Sequence, residues 1–79
     1  MAYKVERNNG TGGFICHFEH DGHMYCAVVH VVSIAGWTKC MIYPEDELDV
    51  LYGKWDVPLT KEGLLSCMEE FVRMKEERA

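Results

Sequence analysis

Asp21-Gly22 stands between two apolar runs, Phe14 to Glu19 and His23 to Val32, and constrains the chain more than any other feature. An Asp-Gly pair flanked by strand-like segments is the strongest short-range signal for a two-residue β-hairpin, because both turn positions need positive φ. With these two residues as the turn, cross-strand partners sum to 43. His20 then faces His23, Phe18 faces Tyr25 and Phe14 faces Val29, with Cys16 and Ala27 between them, all on one side of the ribbon. Ile15, His17, Glu19, Met24, Cys26, Val28 and His30 fall on the other.

The first face carries three aromatics and is the face expected to receive a helix. Residues 25–32 read as a near-continuous apolar run, the pattern of a strand covered on both sides. The second face therefore needs a cover too, supplied either by residues 44–59 folding back or by a second copy of the chain.

Other segments follow from local chemistry. Tyr3 to Arg7 alternates apolar and polar residues as a half-buried strand does, and Asn8-Asn9-Gly10-Thr11-Gly12-Gly13 punctuates it. Ser33 to Gly36 reads as a turn and Trp37 to Tyr43 as a further strand ended by Pro44. Pro44 also suits the first position of a short helix over 45–51, stopped by Gly53, with 54–59 as a loop holding Trp55 and Pro58. From Thr60 onward, Leu64, Leu65, Met68, Phe71 and Val72 form one stripe at helical spacing, with Glu62, Glu69, Arg73 and Glu76 opposite. Thr60 is a suitable N-cap. The expected architecture is α+β: an antiparallel meander of three to four strands packed against one C-terminal amphipathic helix, in a single domain over residues 1–79.

Composition bounds the function. Apolar residues make up 48% of the 79, enough for one core without a cofactor. No apolar run nears the roughly 20 residues that cross a bilayer, and the first residues lack a signal-peptide pattern, so a cytoplasmic location is expected. Cys16, Cys26, Cys40 and Cys67 lie within apolar surroundings rather than in turn-rich loops, as reduced core thiols do. The net charge is −5, and it is unevenly placed: three bases balance three acids through Tyr43, whereas ten carboxylates face five bases after it. Such a surface repels a phosphate backbone and attracts a basic protein.

Four sharper chemistries can be weighed. Cys16, His17, His20, His23 and Cys26 place five borderline ligands within eleven residues, and a metal site drawing on His17, His20, His23 and Cys26 is one alternative. The hairpin register opposes it by sending these side chains to both faces. His17 and Cys26 are cross-strand neighbours beside Glu19, the pairing of an activated thiol, but a flat ribbon offers no oxyanion donors or cleft. Gly10 to Gly13 is followed by a strand instead of a helix and has no lysine where a P-loop needs one. The acids Glu45, Asp46, Glu47 and Asp49 share one exposed segment, unlike the opposed carboxylates of a glycosidase.

The expectation is therefore a binding protein and not an enzyme. Glu45, Asp46, Glu47 and Asp49 would form the docking surface, with Tyr52 and Trp55 as apolar anchors and Glu62 and Glu69 extending it. The partner would be a larger protein with a basic, nucleic-acid-binding site that this chain occludes, such as a nuclease or a phage or host defence complex. The alternatives are a metal-binding or thiol-active domain on the Cys/His hairpin and a dimeric accessory subunit joined through the outer sheet face.

Overall fold

The computed structural model describes residues 3–8, 10 and 12–78, and among these it shows five strands and one helix. The strands β1 (Val5–Asn8), β2 (Gly13–His20), β3 (His23–Val31), β4 (Thr38–Pro44) and β5 (Tyr52–Trp55) precede the helix α1 (Lys61–Arg78). They form one antiparallel meander in the order β1-β2-β3-β4-β5. This is the expected α+β arrangement with one more strand than the three to four anticipated.

The central hairpin has the register set by its turn. His20 pairs with His23, Phe18 with Tyr25 and Phe14 with Val29. Asp21 and Gly22 have φ values of 51° and 79°, the left-handed pair of a type I′ turn, whose twist matches that of the strands. The Ser33–Gly36 turn also forms, with the Gly36 N–H donating to the Ser33 carbonyl at 3.1 Å.

The helix begins where Thr60 caps it, its Oγ1 accepting from the Gly63 N–H at 3.0 Å. Leu64, Cys67, Met68 and Phe71 are buried against the sheet. They meet Cys16, Phe18, Tyr25, Ala27, Val29, Cys40, Ile42 and Tyr52, the inward residues of β2 to β5. Phe71 is the keystone: its ring centroid lies 5.1 Å from Tyr25, 6.1 Å from Phe18 and 6.3 Å from Tyr52, with edge-on angles that suit aromatic quadrupoles.

Between helix and loop, the two states the sequence left open for 45–51, the chain takes the second: a turn at 45–46 followed by irregular backbone. The chain is recaptured when the Leu51 N–H donates to the Ile42 carbonyl, after which Tyr52 pairs with Ile42 and Trp55 with Lys39. Pairing with β4 thus outweighs the helix start that Pro44 offers. The same pairing makes 52–55 a strand where a loop was expected for 54–59. A further correction concerns Tyr52, which is 7% exposed and part of the core instead of a surface anchor.

No helix is long and apolar enough to cross a membrane among the described residues.

Candidate interaction surface

The end of β4 places the acidic run beside the tip of the β2–β3 hairpin. The Glu45 N–H donates to the Met24 carbonyl at 3.1 Å, which ties the segment to the tip. Glu45 also reaches across to the outer face, where a carboxylate oxygen meets His17 Nδ1. That pair is largely exposed, so it positions Glu45 without adding much stability. Between tip and segment lies an open cleft of about 550 Å³, lined by Met24, Tyr25, Glu45, Asp46, Glu47 and Leu51 among others.

Apolar side chains accompany the carboxylates. Leu48 is 93% exposed, Val50 50%, Leu51 45% and Met24 45%. Four exposed apolar residues thus lie within and beside one acidic segment, giving a surface of mixed apolar and charged character. These residues were not singled out by sequence, where scattered apolar side chains in a short acidic segment carry no signal of exposure. With no helix formed, they point outward.

The other expected members of the surface lie elsewhere. Trp55 pairs with Lys39 at the opposite end of β4, and the Lys39 ammonium sits 4.7 Å from its ring centroid. Glu62 stands in the first turn of α1, beside Val57 and Pro58, while the last turns of α1 approach Leu51. Some thirteen residues of helix, about 20 Å, separate Glu62 from the acidic end. Glu69 is exposed on the helix. The structure brings together Glu45, Asp46 and Glu47, leaves Asp49 exposed on the same segment, and sets Tyr52, Trp55, Glu62 and Glu69 apart from them.

The Cys/His hairpin is arranged as its register implied. Cys16 is buried in the core, whereas Cys26 is buried on the outer face with Tyr43 beside it. Cys16 and Cys26 are both pushed up from the ordinary thiol value, chiefly by burial. Tyr43 is pushed up to about 12, first by its hydrogen bond with Cys26. His17 and Cys26 are paired, but His17 engages Glu45 instead of a thiol. His20 and His23 share the other face at the tip, and no group of three His, Cys, Asp or Glu side chains gathers as metal ligands among the described residues.

The outer sheet face is a second surface. Ile15, Val28 and Met41 form a row across β2, β3 and β4, and no helix or strand lies over them among the described residues. The row leads to an apolar cleft of about 370 Å³ between Val32, Trp37 and Trp55. Both tryptophans are more than half exposed. On the same face the His30 Nε2 is buried with no hydrogen-bond partner.

No family model, curated protein or solved structure matches the chain.

Proposed function

We propose that this chain is a small acidic protein-interaction module that docks on, and occludes, a basic site of a larger protein. The observation that carries the reading is the cleft at the end of the sheet, where Glu45, Asp46 and Glu47 are held beside exposed Met24, Leu48 and Leu51. Carboxylates on a fixed backbone can stand in for the phosphates that a nucleic-acid-binding surface expects, and the apolar neighbours add the desolvated contact that phosphates lack. The reading assigns no catalytic role to the chain. Its four buried free thiols support a reducing, cytoplasmic setting.

The test is affinity capture with two baits, the native chain and a variant carrying Glu45→Gln, Asp46→Asn, Glu47→Gln and Asp49→Asn. The substitutions touch exposed positions and remove only the His17 contact, worth at most about 1 kcal/mol, so the variant is expected to fold. A protein that the native bait retains, that moderate salt releases and that the variant fails to hold bears out the reading. Equal retention by both baits, or no retained protein, overturns it.

A second reading is favoured by the exposed Trp37 and Trp55 and the uncovered row of Ile15, Val28 and Met41: self-association through the outer sheet face, which would bury them. Sedimentation velocity of the native chain and of Met41→Lys separates the two readings. A native dimer that Met41→Lys dissociates supports it, and a concentration-independent monomer removes it.

A further inference from the structure

The connection between β3 and β4 is an apolar stretch of surface that neither the core nor the acidic end uses. Val31-Val32-Ser33-Ile34-Ala35-Gly36-Trp37 contains no charged residue. Every residue of it is exposed, Ile34 completely, and Trp55 of β5 stands across the cleft that it shares with Val32 and Trp37. The polar groups of the loop are turned on one another. The Val32 N–H donates to the Trp37 carbonyl at 2.8 Å, the Gly36 N–H to the Ser33 carbonyl at 3.1 Å, and the Trp37 N–H to the Ser33 hydroxyl at 3.3 Å. Part of the amide desolvation cost is thus met inside the loop, and the side chains it presents outward are mainly aliphatic and indole.

The charges are placed to match. Lys39, two residues after Trp37, holds its ammonium 4.7 Å from the Trp55 ring centroid. Asp56, next to Trp55, lines the cavity on the helix side with Lys54 and Glu62 instead of the cleft between the tryptophans. Glu45, Asp46, Glu47 and Asp49 lie past the far end of β4, whose seven residues span about 20 Å, in a molecule 38 Å long. The large exposed apolar side chains at this end are Val31, Val32, Ile34, Trp37 and Trp55. These are too few for a stable protein contact, which takes roughly 800 Å² and 20–30 residues a side. A lipid interface asks for less, since a few aliphatic and indole groups can enter it while the rest of the protein stays in water.

We propose that this end of the sheet is a membrane-surface anchor: Ile34, Trp37 and Trp55 enter the headgroup and upper acyl region of a lipid bilayer, and the Lys39 ammonium meets a lipid phosphate. The chain lies on the bilayer and does not cross it. Zwitterionic lipid is the fitting surface, because it offers the phosphate without repelling a net charge of −5. With Trp37 and Trp55 in lipid, β4 carries the acidic run about 20 Å away from them and leaves it free for a protein partner. The anchor therefore goes beyond the docking reading and does not depend on it.

Both tryptophans of the chain lie in the proposed anchor, so their emission reports on it alone. The experiment titrates the native chain with phosphatidylcholine vesicles, once with ordinary acyl chains and once with bromine on the upper acyl segment. The expected result is a blue shift, quenching by the brominated lipid, and flotation of the chain with the vesicles. Flotation should persist in high salt, because the main force is apolar. Ile34→Ser changes a fully exposed side chain, which keeps the fold, and should weaken partitioning about tenfold. Glu45→Gln, Asp46→Asn, Glu47→Gln and Asp49→Asn together should leave partitioning unchanged, so failure of the anchor and failure of the acidic docking surface are told apart. Absence of both shift and flotation for the native chain overturns the proposal, as does equal partitioning by Ile34→Ser. Sedimentation of the lipid-free chain as a dimer whose tryptophans are already shielded from iodide also overturns it, and assigns this end to self-association.

Discussion

Gly63 shows how a single position can invert a general preference. It lies within α1, and in an open helix a Gly→Ala change gains about 1 kcal/mol from backbone entropy. Here a Cβ at residue 63 would sit 2.3 Å from the Pro58 carbonyl oxygen and 3.3 Å from Thr60 Oγ1. The carbonyl is backbone and cannot swing aside, so Gly63→Ala is expected to destabilise by about 1–3 kcal/mol. A urea denaturation midpoint at or above that of the native chain would falsify the account of this contact. Nothing at residue 63 announces the clash in sequence, since it depends on the path of Pro58 over the first helical turn. Tyr52 illustrates the same limit. Its neighbours Gly53 and Lys54 are polar or small, and only the pairing of residue 52 with Ile42 turns the ring inward against Phe71.

Among the elements, those with their own local code were legible. The hairpin is specified by Asp21-Gly22, which fixes every cross-strand partner once the turn is two residues long. The helix is specified by its apolar period and by Thr60. Removing that cap with Thr60→Ala should cost about 1 kcal/mol, and Thr60→Ser, which keeps an acceptor for the Gly63 N–H, should restore most of it. The docking of the helix is a tertiary matter and costs far more to disturb. Phe71→Ala removes a buried ring that packs edge-on against three others, so a loss of about 3–5 kcal/mol is expected. Chemical denaturation monitored by far-UV circular dichroism measures both variants on one scale. Strand β5 lacked a local code: Tyr52-Gly53-Lys54-Trp55 is short, includes glycine and shows no clean alternation. Its strand state comes from β4. That missed strand also explains why Trp55 is parted from Glu45, since an antiparallel partner carries residue 55 back toward Lys39.

At the scale of the whole molecule, the sheet's two edges are β1 and β5, and charged residues lie along both: Lys4, Glu6 and Arg7 at one, Lys54 at the other. Burial, beneath α1 for Cys16, Cys40 and Tyr52 and on the outer face for Cys26, together with the hydrogen bond of Tyr43 to Cys26, holds most of the thiols and shifted phenols in the protonated form. Cys16, Cys26, Cys40, Tyr43 and Tyr52 all have values raised above those of the unfolded chain, from 9.0 for the thiols and 10.0 for the phenols. For each, the folded state keeps its proton when the unfolded state has lost it. Stability from these groups is therefore complete below about pH 9 and declines as pH rises toward their folded values. Cys67 has the opposite sign, being lowered, and its contribution is present above 9.0 and lost as pH falls through its folded value. Five groups act against one, and the net expectation is a melting temperature that falls steadily above pH 9. Tyr43 governs a defined part of that fall, between 10.0 and about 12, where its hydrogen bond with Cys26 is given up. Thermal melts between pH 8 and pH 11 should show the decline in the native chain and a shallower one in Tyr43→Phe above pH 10. A melting temperature that stays level across this range would mean that the thiols and phenols ionise freely in the folded chain, and that its inner face is more open to water than the packing of Phe71 against the sheet implies.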